Sequence, residues 1–467
     1  MPSVLSDARA PRRARRAARA RSAVLAEAGG DARSAAATDA VRHARTHSGA
    51  KPGARRRTRS GTQARTRPRT ANRAASFALN ASILAALLAA SSAPTPLYPL
   101  YQDRWGLSAL AVTVVFSAYA LALLLALLTT GALSDHLGRR PVLAGALTVA
   151  AASMVLLATA DGAVSLTIAR VLQGLATGAA TSAAGAALLD LENPRRPGRS
   201  ALTNSVTPAA GMAAGVLVST LLVRYAPTPT VTVYALPAAV FLAQAIGVAF
   251  MTETAHRHAG ALRSLRPRPS VPATVRRTLP AAGAAVATVW SLGGFYSSLG
   301  PALVRLVAPD APQAARGMVF FTLSATAALT VWALWRRAPR ATLTGGGLAV
   351  LPAAALTLTG LYGAGLPAVY GGAALAGIAF GAVSQGAMRM LLASLAERDR
   401  AATLAAYYIL SYLSMSLPAI AAGAATQRYG LGATAHAYAI GAAVLALAAL
   451  ATLNAARRRT TDAVTSH

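Results

Sequence analysis

The residues best placed to do chemistry in this chain are charged side chains set among apolar neighbours. Gly131-Ala-Leu133-Ser-Asp135-His-Leu-Gly138-Arg139-Arg140-Pro141 puts one carboxylate and two guanidinium groups into a connection too short to be a domain. Gly131 and Gly138 permit a tight turn there, and charges of both signs at one rim can pair and separate as neighbouring helices move. An ordinary arginine-rich loop would use the same residue types. Arg170, in Leu166-Thr-Ile-Ala-Arg170-Val-Leu-Gln173-Gly174, sits inside an apolar helix instead. A charge at bilayer depth costs about 2.5–3.5 kcal/mol on insertion scales. Such an arginine marks a solute or ion pathway unless it snorkels to the interface, here about two turns away.

The distribution of acids narrows the chemistry further. Asp103, Asp161, Asp190, Glu192, Glu253, Asp310, Glu397 and Asp399 all fall in loops or at helix ends, so no carboxylate stands in the middle of an apolar span. A pathway for cations would keep one there to neutralise its cargo, so the pattern favours neutral or anionic, fairly apolar solutes. Cysteine is absent, and the histidines lie in tails, loops or near span ends. No metal-ligand spacing or catalytic cluster occurs, and an intramembrane enzyme is not expected.

The elements that must position these residues are membrane helices. Of 467 residues 55% are hydrophobic and only 13% charged, a balance that needs lipid as solvent. Spanning ~30 Å of hydrocarbon takes roughly 20 apolar residues. Apolar windows recur at 76–98, 108–130, 141–160, 163–188, 201–223, 230–251, 279–303, 316–335, 342–363, 367–394, 401–425 and 431–455. Arg139-Arg140, Arg195-Arg196, Arg336-Arg337, Arg398-Arg400 and Arg457-Arg458-Arg459 all follow even-numbered spans. The positive-inside rule therefore puts those loops and both termini in the cytoplasm, with the chain multi-pass in the cell membrane. The segmentation is a disordered Arg-rich tail at 1–75, a six-helix half at 76–251, a linker at 252–278, a second half at 279–455 and a tail at 456–467.

The net charge of +31 is concentrated at the start, where residues 1–75 carry nineteen basic side chains against four acidic ones. Three readings of that tail stay open: a dispensable or misassigned extension, a segment drawn to anionic lipid or nucleic acid, and a targeting peptide. Membrane lipid is the expected surrounding partner, with no nucleic acid in the working protein. The halves carry a faint internal echo, since Gly174-Leu-Ala-Thr-Gly178 in span four aligns with Gly377-Ile-Ala-Phe-Gly381 in span ten. Small residues four apart also pack any pair of membrane helices.

The loop at 131–140 resembles the signature of the major facilitator superfamily, Gly-x-Leu-x-Asp-x-x-Gly-Arg-Arg/Lys, through Gly131, Leu133, Asp135, Gly138, Arg139 and Arg140. Span four is similar to that family's Leu-x-x-x-Arg-x-x-Gln-Gly pattern through Arg170 and Gln173. The resemblance implies an all-α membrane protein of twelve transmembrane helices in two six-helix halves, working by alternating access. It further implies a gate in which Asp135 meets the start of span eleven when the protein faces outward, with Asp190 in the same charge cluster. Arg170 and Gln173 then belong to proton coupling.

Span five offers Thr207-Pro208-Ala-Ala-Gly211-Met-Ala-Ala-Gly215, similar to the antiporter signature Gly-x-x-x-Gly-Pro-x-x-Gly-Gly. Thr203, Thr207 and Met212 depart from it, leaving Pro208 and Gly211 as matches and Gly215 as an added small residue. With Gly174 and Gly178, these positions read as helix-packing sites. The expected activity is proton-coupled efflux of small lipophilic molecules by a monomer, driven by a proton gradient without a cofactor. Import of a metabolite and a transporter-like receptor or scaffold are the alternatives. Candidates for the substrate cavity are Asn80, Tyr98, Asn204, Trp290, Tyr296, Gln385, Arg389, Tyr408 and Tyr412.

Overall fold

The computed structural model describes residues 68–255, 259–261, 265, 279–393 and 397–465. Most of the basic tail, most of the 252–278 linker and the last two residues lie outside the described residues. Among the described residues the chain is all helix. In order the helices are α1 (Pro68–Ser92), α2 (Tyr98–Trp105), α3 (Ala109–Thr130), α4 (Leu133–Leu137), α5 (Arg139–Ala158), α6 (Ala163–Asp190), α7 (Arg199–Tyr225) and α8 (Pro229–Ala249). After the linker come α9 (Leu279–Ser298), α10 (Gly300–Val307), α11 (Gln313–Leu334), α12 (Pro339–Thr359), α13 (Gly365–Leu392) and α14 (Glu397–Thr465).

Helix ends fall where local chemistry puts them. The Ser108 hydroxyl accepts the Ala111 amide and starts α3. The Ser165 hydroxyl accepts the amides of Asp161 and Gly162 and closes the first turn of α6. Prolines open α8 and α12, where the missing N–H leaves no bond unmade. A π-turn at Gly360–Ala364, with Gly363 at φ 106°, separates α12 from α13. Gly430 at φ 81° breaks α14 into two legs. Both conformations lie in the left-handed region that suits glycine. Helix α1 begins at Pro68, eight residues before the expected start of span one, because polar but helix-tolerant Arg69–Ala75 extends it beyond the apolar stretch.

Nine helical runs among the described residues are long and apolar enough to cross a membrane, two of them, 339–392 and 402–455, each holding one of these breaks. Their outer faces are apolar: Leu125, Val155, Val164, Ile246, Leu329 and Val444 are all more than half exposed. An apolar surface around a mainly apolar interior departs from the soluble-protein pattern and matches hydrocarbon as solvent.

Two large core clusters form, one mainly from α1–α8 with Ala419 of α14 and one mainly from α9–α14. The sequence echo between the halves has a common structural cause. A Cβ on Gly174 would collide with the Tyr119 carbonyl, and one on Gly178 would lie 2.6 Å from the Leu123 carbonyl oxygen, so α6 lies backbone to backbone on α3. In the second half Gly377 meets the Leu323 carbonyl and Gly381 the Ala327 carbonyl at 2.6 Å, placing α13 on α11 in the same way.

Candidate functional site

The charged loop forms a compact cluster at the arginine-rich end of the first half. Arg139 Nη1 lies 2.5 Å from Asp135 Oδ1 and donates to the Ser134 hydroxyl at 2.6 Å, while its Nε reaches Asp190 Oδ2 at 3.3 Å. Asp190, at the last residue of α6, also accepts the Thr254 hydroxyl at 2.8 Å, and its carbonyl accepts Arg73 Nη2 from α1 at 3.1 Å. Arg140 donates to the carbonyls of Val248 and Ala249 at the end of α8. One loop thereby ties together four helix ends.

Glu253 completes this end, and its role was hidden in the sequence, where it reads as one more loop acid. Its carboxylate accepts the amides of Arg139 at 2.8 Å and Arg140 at 3.1 Å, capping α5 from across the bundle, and also the amides of Thr254 and Ala255. Partial burial pushes its pKa up, but the four backbone donors outweigh that and hold it below the ordinary carboxylate value. Gly138 is required here: at φ 99° its Cβ would lie 2.7 Å from Glu253 Oε2. The signature glycine is therefore explained by its left-handed backbone, with the carboxylate of an acid 115 positions away packed against it.

Arg170 is 1% exposed in α6. Its Nη1 donates to the Ser91 carbonyl at 3.0 Å and to Gln173 Oε1 at 2.6 Å, and Gln173 in turn donates to the Ala90 carbonyl. The guanidinium carbon stands 4.2 Å from the Tyr119 ring centroid, a cation–π contact. Its Nε has no partner, and among the described residues no carboxylate pairs with it. A buried cation held by neutral groups is electrostatically under-compensated.

Beyond Tyr119 the aromatic side chains join into a chain. Tyr119 packs in one cluster with Tyr412. Tyr412 lies 5.2 Å from Trp290 between centroids, Trp290 lies 5.3 Å from Phe380, and Tyr408 continues from Tyr412 at 6.3 Å to Tyr407 at 5.6 Å. These residues come from α3, α9, α13 and α14, so both halves contribute.

The halves close on one another at the end remote from the charge cluster. Asp103 pairs with Arg305 at 3.1 Å, and Gly317 of α11 lets that helix meet Pro96 and Thr220. Gly423 of α14 admits Thr113 of α3, and the Ser117 hydroxyl donates to the Ser416 carbonyl at 3.3 Å. At the arginine-rich end the Trp335 ring packs near Gly198 across the halves.

Residues 81–308 match the Major Facilitator Superfamily by sequence. The chain belongs to the major facilitator superfamily. It is a multi-pass membrane transporter of that superfamily. Solved structures of similar fold include the nucleoside transporter NupG, with TM-score 0.62 and 12% identity over 82% of this chain and 98% of that one. Another is a bacterial homologue of the human lysosomal transporter Spinster, inward-facing and occupied, with TM-score 0.64 and 12% identity over 82% and 96%. A third is the human organic anion transporter MFSD10, with TM-score 0.60 and 18% identity over 82% and 99%. No curated protein matches the chain by sequence.

In this facilitator the residues expected at the gate come together: Gly131 and Gly138 frame the loop, and Asp135, Arg139 and Asp190 form one network with Arg140 beside it. The partner expected for Asp135 was the start of span eleven. The side chains of 397–399 and 401 lie outside the described residues. Pro208 lies within α7, and Gly211 and Gly215 bring that helix onto Ala85 and Ala89 of α1.

The expected cavity divides. Trp290, Tyr408 and Tyr412 converge in the aromatic chain, and Gln385 stands on α13 with Nε2 bound to the Val331 carbonyl. Asn80 is turned away, fully buried, donating to the Ser76 carbonyl and Met251 sulfur. Tyr98 is sunk in the first-half core, Tyr296 bonds Thr357 within the second half, and Asn204 donates to the Gly185 carbonyl. Arg389 reaches the Arg337 carbonyl at the helix end. These five hold neighbours within one half, because each finds a local backbone or side-chain partner before it can reach the centre. Tyr119 and Phe380 were missed: Tyr119 lies on span two, which offered no cavity candidate, and Phe380 is an apolar ring on span ten, where polarity selected Gln385 and Arg389.

Proposed function

We propose that this transporter is a proton-coupled exporter of small lipophilic neutral or anionic compounds. Counting the two legs of each broken run separately and adding α9 gives twelve crossings in two six-helix halves. The positive-inside rule then sets the arginine-rich end, with both termini, in the cytoplasm of a cell-membrane protein. The observation that carries the reading is the aromatic chain running from Tyr407 through Tyr412 and Trp290 toward Arg170. In that orientation it leads from the cytoplasmic side to the centre, while the opposite end is sealed by Asp103–Arg305 and the close approaches at Gly317 and Gly423.

Such a state receives cargo from the cytoplasm. Asp135 and Asp190, the exposed acids of the gate, are the groups available to exchange protons, with Arg170 and Gln173 linking the gate helix α6 to the pathway. Helix packing at Pro208, Gly211 and Gly215 supports the antiporter resemblance. A nucleoside transporter and an organic anion transporter share this fold, so the site's own residues must choose the cargo.

The test is accumulation of a panel of labelled compounds in an exporter-deficient host, with and without an uncoupler, comparing wild type with Asp135→Asn. Lower accumulation in wild type alone, abolished by the uncoupler, is the expected result. Higher accumulation in wild type would reverse the direction to import. No difference, with the protein present in the membrane, would remove the transport reading in favour of a receptor or scaffold.

A further inference from the structure

The same site carries a more specific reading of its cargo, which rests on the pathway proposed above. We propose that the central site takes a planar aromatic monoanion, its ring system among Trp290, Phe380 and Tyr412 and its carboxylate at Arg170. Three independent features point to it. The guanidinium is 1% exposed, has an unpartnered Nε, and has no carboxylate paired with it among the described residues. Its counter-charge is supplied by the Ser91 carbonyl, the Gln173 amide oxygen and the π face of Tyr119, all neutral groups.

The second feature is the arrangement of Tyr119 itself. Its ring covers Arg170 on the side of α3 and also packs with Tyr412, so it stands between the charge and the aromatic cluster. A ring face is a weak substitute for an anion, and a carboxylate that displaces it gains a charge-assisted, bidentate partner in a dry setting. The third feature is the geometry beyond it. Trp290 meets Tyr412 at 66° and Phe380 at 47°, the tilted and edge-on geometries in which aromatic rings attract, so a flat ring entering the cluster would meet partners of its own kind. An amine-bearing ring would meet the same surfaces but be repelled by Arg170.

The experiment uses full-length protein in proteoliposomes and three probes of one shape: 2-naphthoate, 2-naphthamide and 2-naphthylmethylamine. Binding is read by displacement of labelled 2-naphthoate, and flux by its release under a proton gradient. The expected order is naphthoate tightest by about tenfold or more over the amide, from a hydrogen-bonded charge pair the amide lacks, with the amine not competing. Arg170→Gln should bring the naphthoate-to-amide ratio close to one while amide binding persists, whereas Trp290→Leu should weaken both probes alike and leave the ratio in place.

Equal binding of acid and amide, preference for the amine, no binding of any probe, or an unchanged ratio in Arg170→Gln would each overturn the assignment. If Arg170→Gln does not fold, Arg170→Lys and the wild-type order decide it: Lys should retain the preference for acid over amine. Gradient-driven export of other compounds without naphthoate selectivity would sink this inference and leave the exporter reading standing. Selective naphthoate binding without gradient-driven flux would do the reverse.

Discussion

Replacing Glu253 by Ala tests whether an acid beyond α8 holds the gate loop together. The substitution removes the acceptor for the amides of Arg139 and Arg140, both in the first turn of α5, where no helical carbonyl can serve them. Loss of a side-chain cap costs about 0.5–2 kcal/mol, and loss of a negative charge at a helix N-terminus adds roughly 0.3–1 kcal/mol when partly exposed. Each kcal/mol corresponds to about 2–4 °C in Tm at 150–250 residues and roughly half that at the 467 residues of this chain, so a fall of about 1–5 °C in a detergent-solubilised thermal scan is expected at pH 7.

The pH dependence fixes the sign. The folded pKa of Glu253 is depressed by backbone donors, so its contribution is complete above the unfolded value of about 4.3 and disappears as pH falls through the lowered folded value. The gap between wild type and Glu253→Ala should therefore be full at neutral pH and shrink below pH 4. Glu253→Gln, which keeps one acceptor oxygen, should fall between them. Equal Tm values for wild type and Glu253→Ala at pH 7 would refute the cap.

Three further outcomes follow from measured contacts. Gly174→Val should shorten the thermal half-life in detergent by an amount equivalent to about 1–3 kcal/mol of overpacking, since its side chain meets the α3 backbone at Leu123 N, 3.0 Å from the Cβ; Gly145→Ala, with nothing within 4 Å, should be neutral or stabilising. Arg305→Ala should raise the population open at the far end, but by less than about 1 kcal/mol because both partners are exposed; spin-label distances between positions 104 and 306 would show it, and a narrowing would contradict the latch. Asp135→Asn should slow transport with little change in Tm, because Arg139 keeps Ser134 and Asp190 as partners; wild-type flux in vesicles would remove Asp135 from the gate.

How far the sequence could be read depends on how local each interaction is. Helix positions were legible because apolar length and positive-inside loops act within a single span; the break at Gly430 falls in a connection the hydropathy already showed, and that at Gly363 on the last residue of a window. The loop from Gly131 to Arg140 was legible because Asp135 and Arg139 are one helical turn apart. Glu253 was not, since the two amides it caps on α5 are more than a hundred residues earlier and nothing in its own neighbourhood marks that cap. The cavity shows the same limit from the other side. Polarity selected Asn80, Asn204 and Tyr296, yet a polar group inside a bilayer must find a partner, and the nearest available ones lie within its own half.

That limit has a consequence for reading membrane pathways. In water a buried polar residue is unusual and points to function; in lipid it is commonly spent on holding two helices together, as Asn80 holds α1 near Met251. What sets Arg170 apart is its charge: unpartnered neutral atoms such as Asn80 Oδ1 occur elsewhere, but Arg170 is a buried cation surrounded by Ser91, Gln173 and Tyr119, with an unpartnered Nε. A site built only for stability would have supplied a carboxylate, since leaving a buried cation without one is costly. The same reasoning explains why aromatics rather than amides mark the centre. Trp290, Phe380, Tyr408 and Tyr412 can line an opening in either conformation without leaving many backbone groups unmet, so the halves can part around them.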